Sequence, residues 1–429
     1  MSRKPTARKI TNMSLKLQPV RGTHDILPEE ARRRRALSDS LRSVFATYGY
    51  GEIATPVFEF TDVFHRTLGD TSDVVTKETY TFTDRGGESL TLRPEFTASV
   101  VRALISNSLT QELPFKVFYE GPAFRYERPQ KGRLRQFHQI GAELLGAAEP
   151  VADVEMIAMA AQGLEALGLK DMVTLELNSL GDIESRKAYR GALVAYFSDY
   201  RAQLSEDSKL RLEKNPLRIL DSKDEGDRKL VASAPRMNEH FTAPASEFFA
   251  EVTESLTALG VAYRVNPAIV RGLDYYSHTV FEFVTDKLGA QGTVLAGGRY
   301  DGLVATMGGP DIAGVGFAAG IERLLALMET VGSDKVVLAR PIAVAAQSDA
   351  QEREALKLAQ ELRAQGVAVE LLTKGNMGKK FKRAEKLGAY GVFILGKQEV
   401  AEGKVAFKVM DSGEQQSVAR SAVLAVLPK

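Results

Sequence analysis

Apolar and polar positions change rhythm several times along the chain, and each change marks an element. Over residues 29–48 the apolar positions Ala36, Leu37, Leu41, Val44 and Phe45 recur at the spacing of one helix face. Arg32 to Arg35 interrupt it with consecutive arginines, which read as a solvated face. Gly49 and Gly51 end the helix, and residues 53–60 read as a strand that Pro56 restricts to a sheet edge or a bulge. Residues 80–83 and 89–92 flank the turn Asp84-Arg85-Gly86-Gly87 and predict a hairpin. A second pair, 117–127 and 136–145, flanks a longer basic loop. Pairs of this kind predict an antiparallel sheet, not the regular strand–helix alternation of a doubly wound fold.

Residues 183–262 are charged and helix-rich and read as an insertion; strand signals resume at Val265. Beyond Leu338 the pattern alternates: strand 342–345, helix 350–364, strand 367–372, helix 378–387, strand 392–395. This predicts a small separate α/β module with mostly parallel strands. The expected division is a lead-in over 1–17, a body over 18–338 and the module over 339–429, with no long-range repeat.

Composition changes this picture at three points. The 429 residues include no cysteine, which removes disulfides and thiolate metal sites and fits a reducing compartment. No apolar run is long enough to span a bilayer, and the basic residues 1–12 lack a signal-peptide core, so a cytoplasmic protein is expected, its start at Met1 or Met13. The net charge is +1, yet residues 341–429 hold 14 Lys and Arg against 10 Asp and Glu. A basic end module on a slightly acidic body suits nucleic-acid binding by that module.

Five segments could carry chemistry. On the second strand pair, alternation would put Ala123, Arg125 and Glu127 on one face, and Gln139, Gly141 and Glu143 on one face of the return strand, with Ile140, Ala142 and Leu144 opposite. An ordinary half-buried sheet also has a polar face, so alternation alone leaves both readings open. The loop between holds Arg128, Gln130, Lys131, Arg133 and Arg135, donors suited to phosphates or an RNA end. In Arg93-Pro94-Glu95-Phe96-Thr97, a carboxylate and a hydroxyl at a strand end could bind an ammonium group, or could open a helix. The third segment is Arg271-Gly272-Leu273-Asp274-Tyr275-Tyr276. The fourth is Gly297-Gly298-Arg299-Tyr300-Asp301-Gly302, whose adjacent glycines would let a ligand approach the backbone. The fifth runs from Gly314 to Leu324, where a small-residue strand enters a helix with Ile321, Leu324, Leu325 and Met328 on its core face. Arg323 lies off that face in the first turn, where a cation opposes the helix dipole and is better explained by an anion nearby.

In this order the segments resemble the class II aminoacyl-tRNA synthetases, and specifically the histidyl-tRNA synthetase family. Residues 52–60 resemble the first class motif, the dimer-interface element; 121–143 the second; 314–324 the third. The Arg271 and Gly297 segments match the two stretches peculiar to the histidine enzymes, and the likeness runs from Gln18 to the C-terminus. The resemblance implies an α+β fold: an antiparallel-sheet catalytic core with a helical insertion and a C-terminal α/β anticodon-binding domain. It implies that ATP-dependent activation of L-histidine to histidyl-adenylate precedes transfer to the 3′ end of tRNA(His), in a homodimer that binds no membrane. Arg125 and Arg271 would flank the α-phosphate as catalytic groups, also reaching histidine, and Glu127, Arg133 and Arg323 would complete the ATP site. Glu95, Thr97 and Gln139 would hold the α-amino group; Glu143 and Tyr276 the imidazole; Tyr275 and Tyr300 would shape the pocket. Gln130, Arg133 and Arg135 would read the extra 5′ guanosine of the tRNA. Lys379, Lys382 and Arg383, with Lys380 and Lys386, would contact it from the end module, unless that helix simply carries a solvated basic face. Mg2+ would arrive with ATP, without a site built from protein ligands alone. Phe96 departs from the family, which often has a smaller residue there; it would narrow the amino-acid pocket or point into the core. The family's neighbourhood includes a silent regulatory subunit of ATP phosphoribosyltransferase, which typically lacks the end module and loses catalytic residues; Arg125, Glu143, Arg271 and Arg323 are all retained here. An RNA-binding or signalling protein derived from a synthetase is the other alternative, and turnover of ATP with histidine would separate it.

Overall fold

A computed structural model describes residues 17–68, 78–130, 132–220, 222–269, 275–289, 292–333 and 340–428. The chain forms two compact units, Met1–Lys335 and Val336–Lys429.

In the first unit, helix α1 (Pro28–Thr47) leads to strands β1 (Gly51–Glu52) and β2 (Phe58–Phe60), helix α2 (Thr61–Leu68) and the hairpin β3 (Tyr80–Thr83) and β4 (Ser89–Leu92). Helix α3 (Thr97–Ser106), the long hairpin β5 (Phe115–Phe124) and β6 (Gln136–Leu145), helix α4 (Pro150–Ala166) and strand β7 (Thr174–Ser179) follow. Helices α5 (Ile183–Asp199), α6 (Glu206–Lys214), α7 (Glu225–Val231) and α8 (Ala243–Ala258) come next. The unit closes with β8 (Arg264–Val265), β9 (Ser277–Val284), β10 (Thr293–Arg299), α9 (Leu303–Thr306), β11 (Gly314–Gly320) and α10 (Ile321–Val331).

Eight strands form one sheet in the order β1-β5-β6-β11-β10-β9-β7-β8. All pairings are antiparallel except the outermost, β1 with β5 and β7 with β8. Ile140, Ala142 and Leu144 of β6 enter the main core with α1, α4 and α10, so the alternation read from that strand holds. Pro28 opens α1 with Glu29 and Glu30 behind it, the acidic first turn the helix dipole favours. The 53–60 strand is corrected: Gly51–Glu52 and Phe58–Phe60 are separate strands in different sheets, and Pro56, which cannot donate to a ladder, lies between them.

The arginine run is also corrected. Arg34 is buried, and its guanidinium donates to Glu322 at 3.1 Å, from a partner 288 residues away. The helices after β7 have a core of their own around Tyr189, Leu193, Phe197 and Leu212, whereas Val252 and Leu256 of α8 pack into the main core. Asp227 anchors that smaller core: it accepts from the hydroxyls of Ser205, Ser208 and Ser222, and these bonds outweigh its burial and draw its carboxyl down to about 2.

The second unit holds β12 (Ile342–Ala346), α11 (Glu352–Ala364), β13 (Val369–Leu372), α12 (Met377–Lys386), β14 (Gly391–Leu395), α13 (Lys397–Ala401), β15 (Lys404–Val409) and β16 (Gln415–Ala419). The sheet order is β13-β12-β14-β15-β16; the first three are parallel, and β15–β16 add an antiparallel hairpin beyond the expected elements. Among the described residues no helix is long and apolar enough to cross a membrane.

Candidate active site

A cavity of about 330 Å3 is lined by β5, β6, β10 and β11, with Glu95–Thr97 on one side and Tyr275 and Tyr276 on another. One end is built around a carboxylate. Glu143 of β6 faces Gly316 of β11 in register, and a Cβ at 316 would overlap its carboxylate, so glycine there admits the acid. Glu143 Oε1 accepts from Thr97 Oγ1 at 2.7 Å and from the Tyr119 hydroxyl at 3.2 Å; Oε2 accepts from the Tyr300 hydroxyl at 2.5 Å. Burial disfavours the charge more than these hydroxyls restore it, and the carboxyl is pushed up to about 8. Glu143 is itself only 1% exposed: Thr97, Tyr119 and Tyr300 line the cavity, and the acid stands behind them.

Glu95 does both things its position allowed. Its oxygens accept from the backbone N–H of Thr97 (2.6 Å) and Ala98 (3.0 Å), closing the first turn of α3, while the residue also lines the cavity. Burial pushes its carboxyl up, against those two bonds. Thr97, expected beside Glu95 at an ammonium group, gives its hydroxyl proton to Glu143. Gln139 lines the cavity with a buried side-chain oxygen that has no hydrogen-bond partner. Such an atom costs free energy until something donates to it.

The other end is cationic. Arg125 lies one residue beyond β5, which ends at Phe124, so the expected strand over 123–127 stops short; its Nε donates to Pro94 O at 2.9 Å and its guanidinium lies over the Phe137 ring at 5.3 Å. Arg323 donates to Gly132 O (3.2 Å) and Thr293 O (2.8 Å). Its pKa is lowered by burial and by repulsion from Arg133 and Arg125. Arg133 pairs with Glu127 at 2.5 Å, and its backbone bridges Gln130. Mutually repelling cations in a partly desolvated cleft are organised for a polyanion. Glu322, beside Arg323, takes the backbone N–H of His138 (2.9 Å), its Nδ1 (2.8 Å) and Arg34; those His138 contacts overcome burial and lower its pKa.

Several sequence expectations fall elsewhere. Gly297 and Gly298 do not free the backbone for a ligand: a Cβ would strike Gly316 O in one case, Thr279 O and the Tyr276 ring in the other. Arg299 between them and Tyr300 is wholly buried against Asp153. Arg135 lays its guanidinium over Tyr126 at 3.9 Å and bonds Glu127 O, so it is partly committed. In the second unit Lys379, Lys382, Arg383 and Lys386 are exposed, with Arg383 on Glu370 at 3.0 Å. Lys380 is buried on Ala346 O and leaves that face. Arg271 lies outside the described residues, as does Lys131. Tyr119 was not anticipated; the signal was Gly141 paired opposite it across the hairpin, since a Cβ there would meet the tyrosine ring. Among the described residues no group of three or more His, Asp or Glu is placed to hold a metal.

Residues 22–324 match the family described as histidyl-tRNA synthetase, and residues 341–429 match the anticodon binding domain. A histidine–tRNA ligase of Rhodospirillum rubrum is 59% identical over 94% of this chain and 96% of its own. One from Gluconacetobacter diazotrophicus is 56% identical over 95% and 97%. The crystal structure of apo histidyl-tRNA synthetase from S. aureus superimposes with a TM-score of 0.81 at 34% identity, covering 96% of this chain and 99% of that one. A sheet that puts a hydroxyl-ringed carboxylate at one end of its cavity and three arginines at the other accords with these matches: the chain belongs to the histidyl-tRNA synthetase family and works as a histidine–tRNA ligase.

Proposed function

We propose that the cavity binds histidine and ATP side by side, with the imidazole at the Glu143 end and the triphosphate at the Arg125–Arg133–Arg323 end. The observation that carries this reading is the polarity of that cavity. Imidazole offers one N–H and one bare nitrogen, and the ring of Thr97, Tyr119 and Tyr300 hydroxyls, backed by Glu143, can serve either. The α-amino group meets Glu95 and the unpartnered oxygen of Gln139. The carboxylate of histidine attacks the α-phosphorus, pyrophosphate leaves, and the arginines hold the charge that builds on the phosphoryl oxygens. A ribose hydroxyl at the tRNA 3′ end then attacks the acyl carbon and AMP leaves. The acid donors near the arginines, Glu127 and Glu282, suit a hard cation held mostly by phosphate, so Mg2+ with ATP would supply further charge neutralisation there. Gln130, Arg133 and Arg135 are proposed to meet the acceptor end of tRNA(His), and Lys379, Lys382 and Arg383 its anticodon arm, in the cytoplasm. ATP–pyrophosphate exchange with each of twenty amino acids should proceed with histidine alone; exchange with another amino acid, or with none in folded protein, would overturn the pocket assignment.

The chain is also proposed to act as a homodimer. The small sheet β2-β4-β3 pairs Phe58 and Tyr80 with Leu92, and Phe60 and Phe82 with Leu90, so all six side chains share one face. Phe58, Phe60 and Phe82 are each exposed, whereas the opposite face packs Thr91 and the Glu59–Arg102 pair inward. Exposed aromatic faces of this kind are association sites. They continue the segment that resembles the dimer-interface motif. Phe60→Asp should convert a dimer to monomer in sedimentation velocity; an unchanged sedimentation coefficient would place the interface elsewhere.

A further inference from the structure

The polar residues of the cavity do not stand alone behind their hydroxyls. The Arg93 side chain is buried and donates to Pro122 O (2.8 Å), to Thr55 O (2.8 Å) and Oγ1 (3.2 Å), and to Pro56 O (3.3 Å). Its guanidinium lies 3.8 Å above the ring of Phe96. The other side of that ring stacks on Tyr119 with centroids 4.3 Å apart and planes 2° from parallel. Tyr119 in turn donates to Glu143. The column therefore runs from a guanidinium fixed by backbone carbonyls, through two aromatic rings, to the carboxylate. Its sides are closed: a Cβ on Gly121 would come within 2.6 Å of an Arg93 nitrogen and 3.2 Å of the far carbon of Phe96.

We propose that Phe96 is a positioning residue for histidine, holding the Tyr119 ring by stacking so that its hydroxyl stays on Glu143. A cation over one face polarises the ring beneath it, and an offset stack has little freedom to slide when its far side is clamped. Removing the phenyl ring lets Tyr119 tilt, and its hydroxyl, already at 3.2 Å, has little distance to lose. ATP meets the opposite end of the cavity and is unaffected. The inference rests on the Glu143 end taking the imidazole.

The test is pyrophosphate exchange by the full-length protein, titrating histidine and ATP separately for Phe96→Leu, Gly121→Ala, Tyr119→Phe and Glu143→Gln. Phe96→Leu should raise the KM for histidine about tenfold, which is ~1.4 kcal/mol, with the KM for ATP unchanged. Gly121→Ala, at a residue that does not itself line the cavity, pries at the column and should move it the same way. Because Phe96 also borders the cavity, the double variant decides the route. Phe96→Leu added to Tyr119→Phe should change little if Phe96 acts through that hydroxyl. Full additivity would overturn the inference, as would a lowered melting midpoint with neither KM changed. If Tyr119→Phe and Glu143→Gln raise the histidine KM but Phe96→Leu does not, only the inference falls. If those two variants are themselves silent, the pocket reading falls with it.

Discussion

Replacing Glu143 by glutamine should cut histidine-dependent exchange roughly a hundredfold or more in kcat/KM, because a site built to hydrogen-bond its substrate loses ~3 kcal/mol when that pairing fails. Glutamine is the informative change. Alanine would leave the hydroxyls of Thr97, Tyr119 and Tyr300 without their shared acceptor, and each stranded group costs ~1–3 kcal/mol of stability. The amide fills the same space beside Gly316 and has the shape of the protonated acid. Protonation is the second half of the expectation. With Glu143 pushed up to about 8, the free enzyme carries a neutral acid there at neutral pH. Free imidazole has a pKa of roughly 6.5. Below about pH 6.5 the ligand brings an imidazolium, with two N–H donors and no bare nitrogen, to an end whose acid is already neutral. The KM for histidine should therefore rise as pH falls through that value, and Glu143→Gln, which is neutral at every pH, should keep this acid limb. A wild-type KM that stays flat from about pH 7 down to about pH 5.5 would refute the assignment, as would near-normal exchange in the variant.

Glu143 was legible in the sequence because its strand alternates. Ile140, Ala142 and Leu144 point to the core, which leaves Gln139 lining the cavity and Glu143 on the same strand face behind its hydroxyls. The core face of α10 was legible for the same reason, with Ile321, Leu324, Leu325 and Met328 all buried. What spacing alone does not show depends on partners distant in the chain. Nothing in the spacing of Arg32 to Arg35 distinguishes Arg34, whose burial is decided by Glu322 and, through it, His138. The glycines at 297 and 298 signal close approach, but periodicity does not tell a ligand from the neighbouring strands and the Tyr276 ring. Phe96, expected either to narrow the pocket or to point into the core, occupies a slot that Arg93 and Tyr119 define on either side. It therefore does both things that were open, belonging to the core while bordering the cavity. The β15–β16 hairpin is a different case: Val405 and Phe407 alternate ahead of the turn at Asp411 to Gly413, a period-two signal that the sequence does carry.

Breaking the Arg299–Asp153 pair should be the costliest single change to stability in the first unit. Both side chains are 0% exposed. Arg299 Nε donates to Asp153 at 2.9 Å, and its other nitrogens reach Asp301 and Ala147 O at 3.1 Å and Glu149 O at 3.3 Å. The guanidinium also faces the Phe248 ring of α8 at 5.2 Å. Burial opposes its charge, but Asp153 and Asp301 outweigh that and hold its pKa above the ordinary value. These contacts join β10, the entry to α4 and α8 immediately beside Tyr300, whose hydroxyl is on Glu143. Asp153→Ala leaves a buried cation half compensated, and one-sided removal of a buried pair costs ~3–5 kcal/mol. For a unit of this size that lowers the thermal midpoint by about 5 °C. Asp153→Asn, which keeps the acceptor but not the charge, should fall between. The double change Asp153→Leu with Arg299→Met should cost less than the sum of the single changes, because neither partner is left charged and alone. Calorimetry on the parent, Asp153→Ala, Asp153→Asn, Asp153→Leu, Arg299→Met and the double variant separates the alternatives. If Asp153→Ala melts within a degree of the parent, the pair contributes little; if the double variant equals the sum, Arg299 is held by its carbonyl partners and not by Asp153.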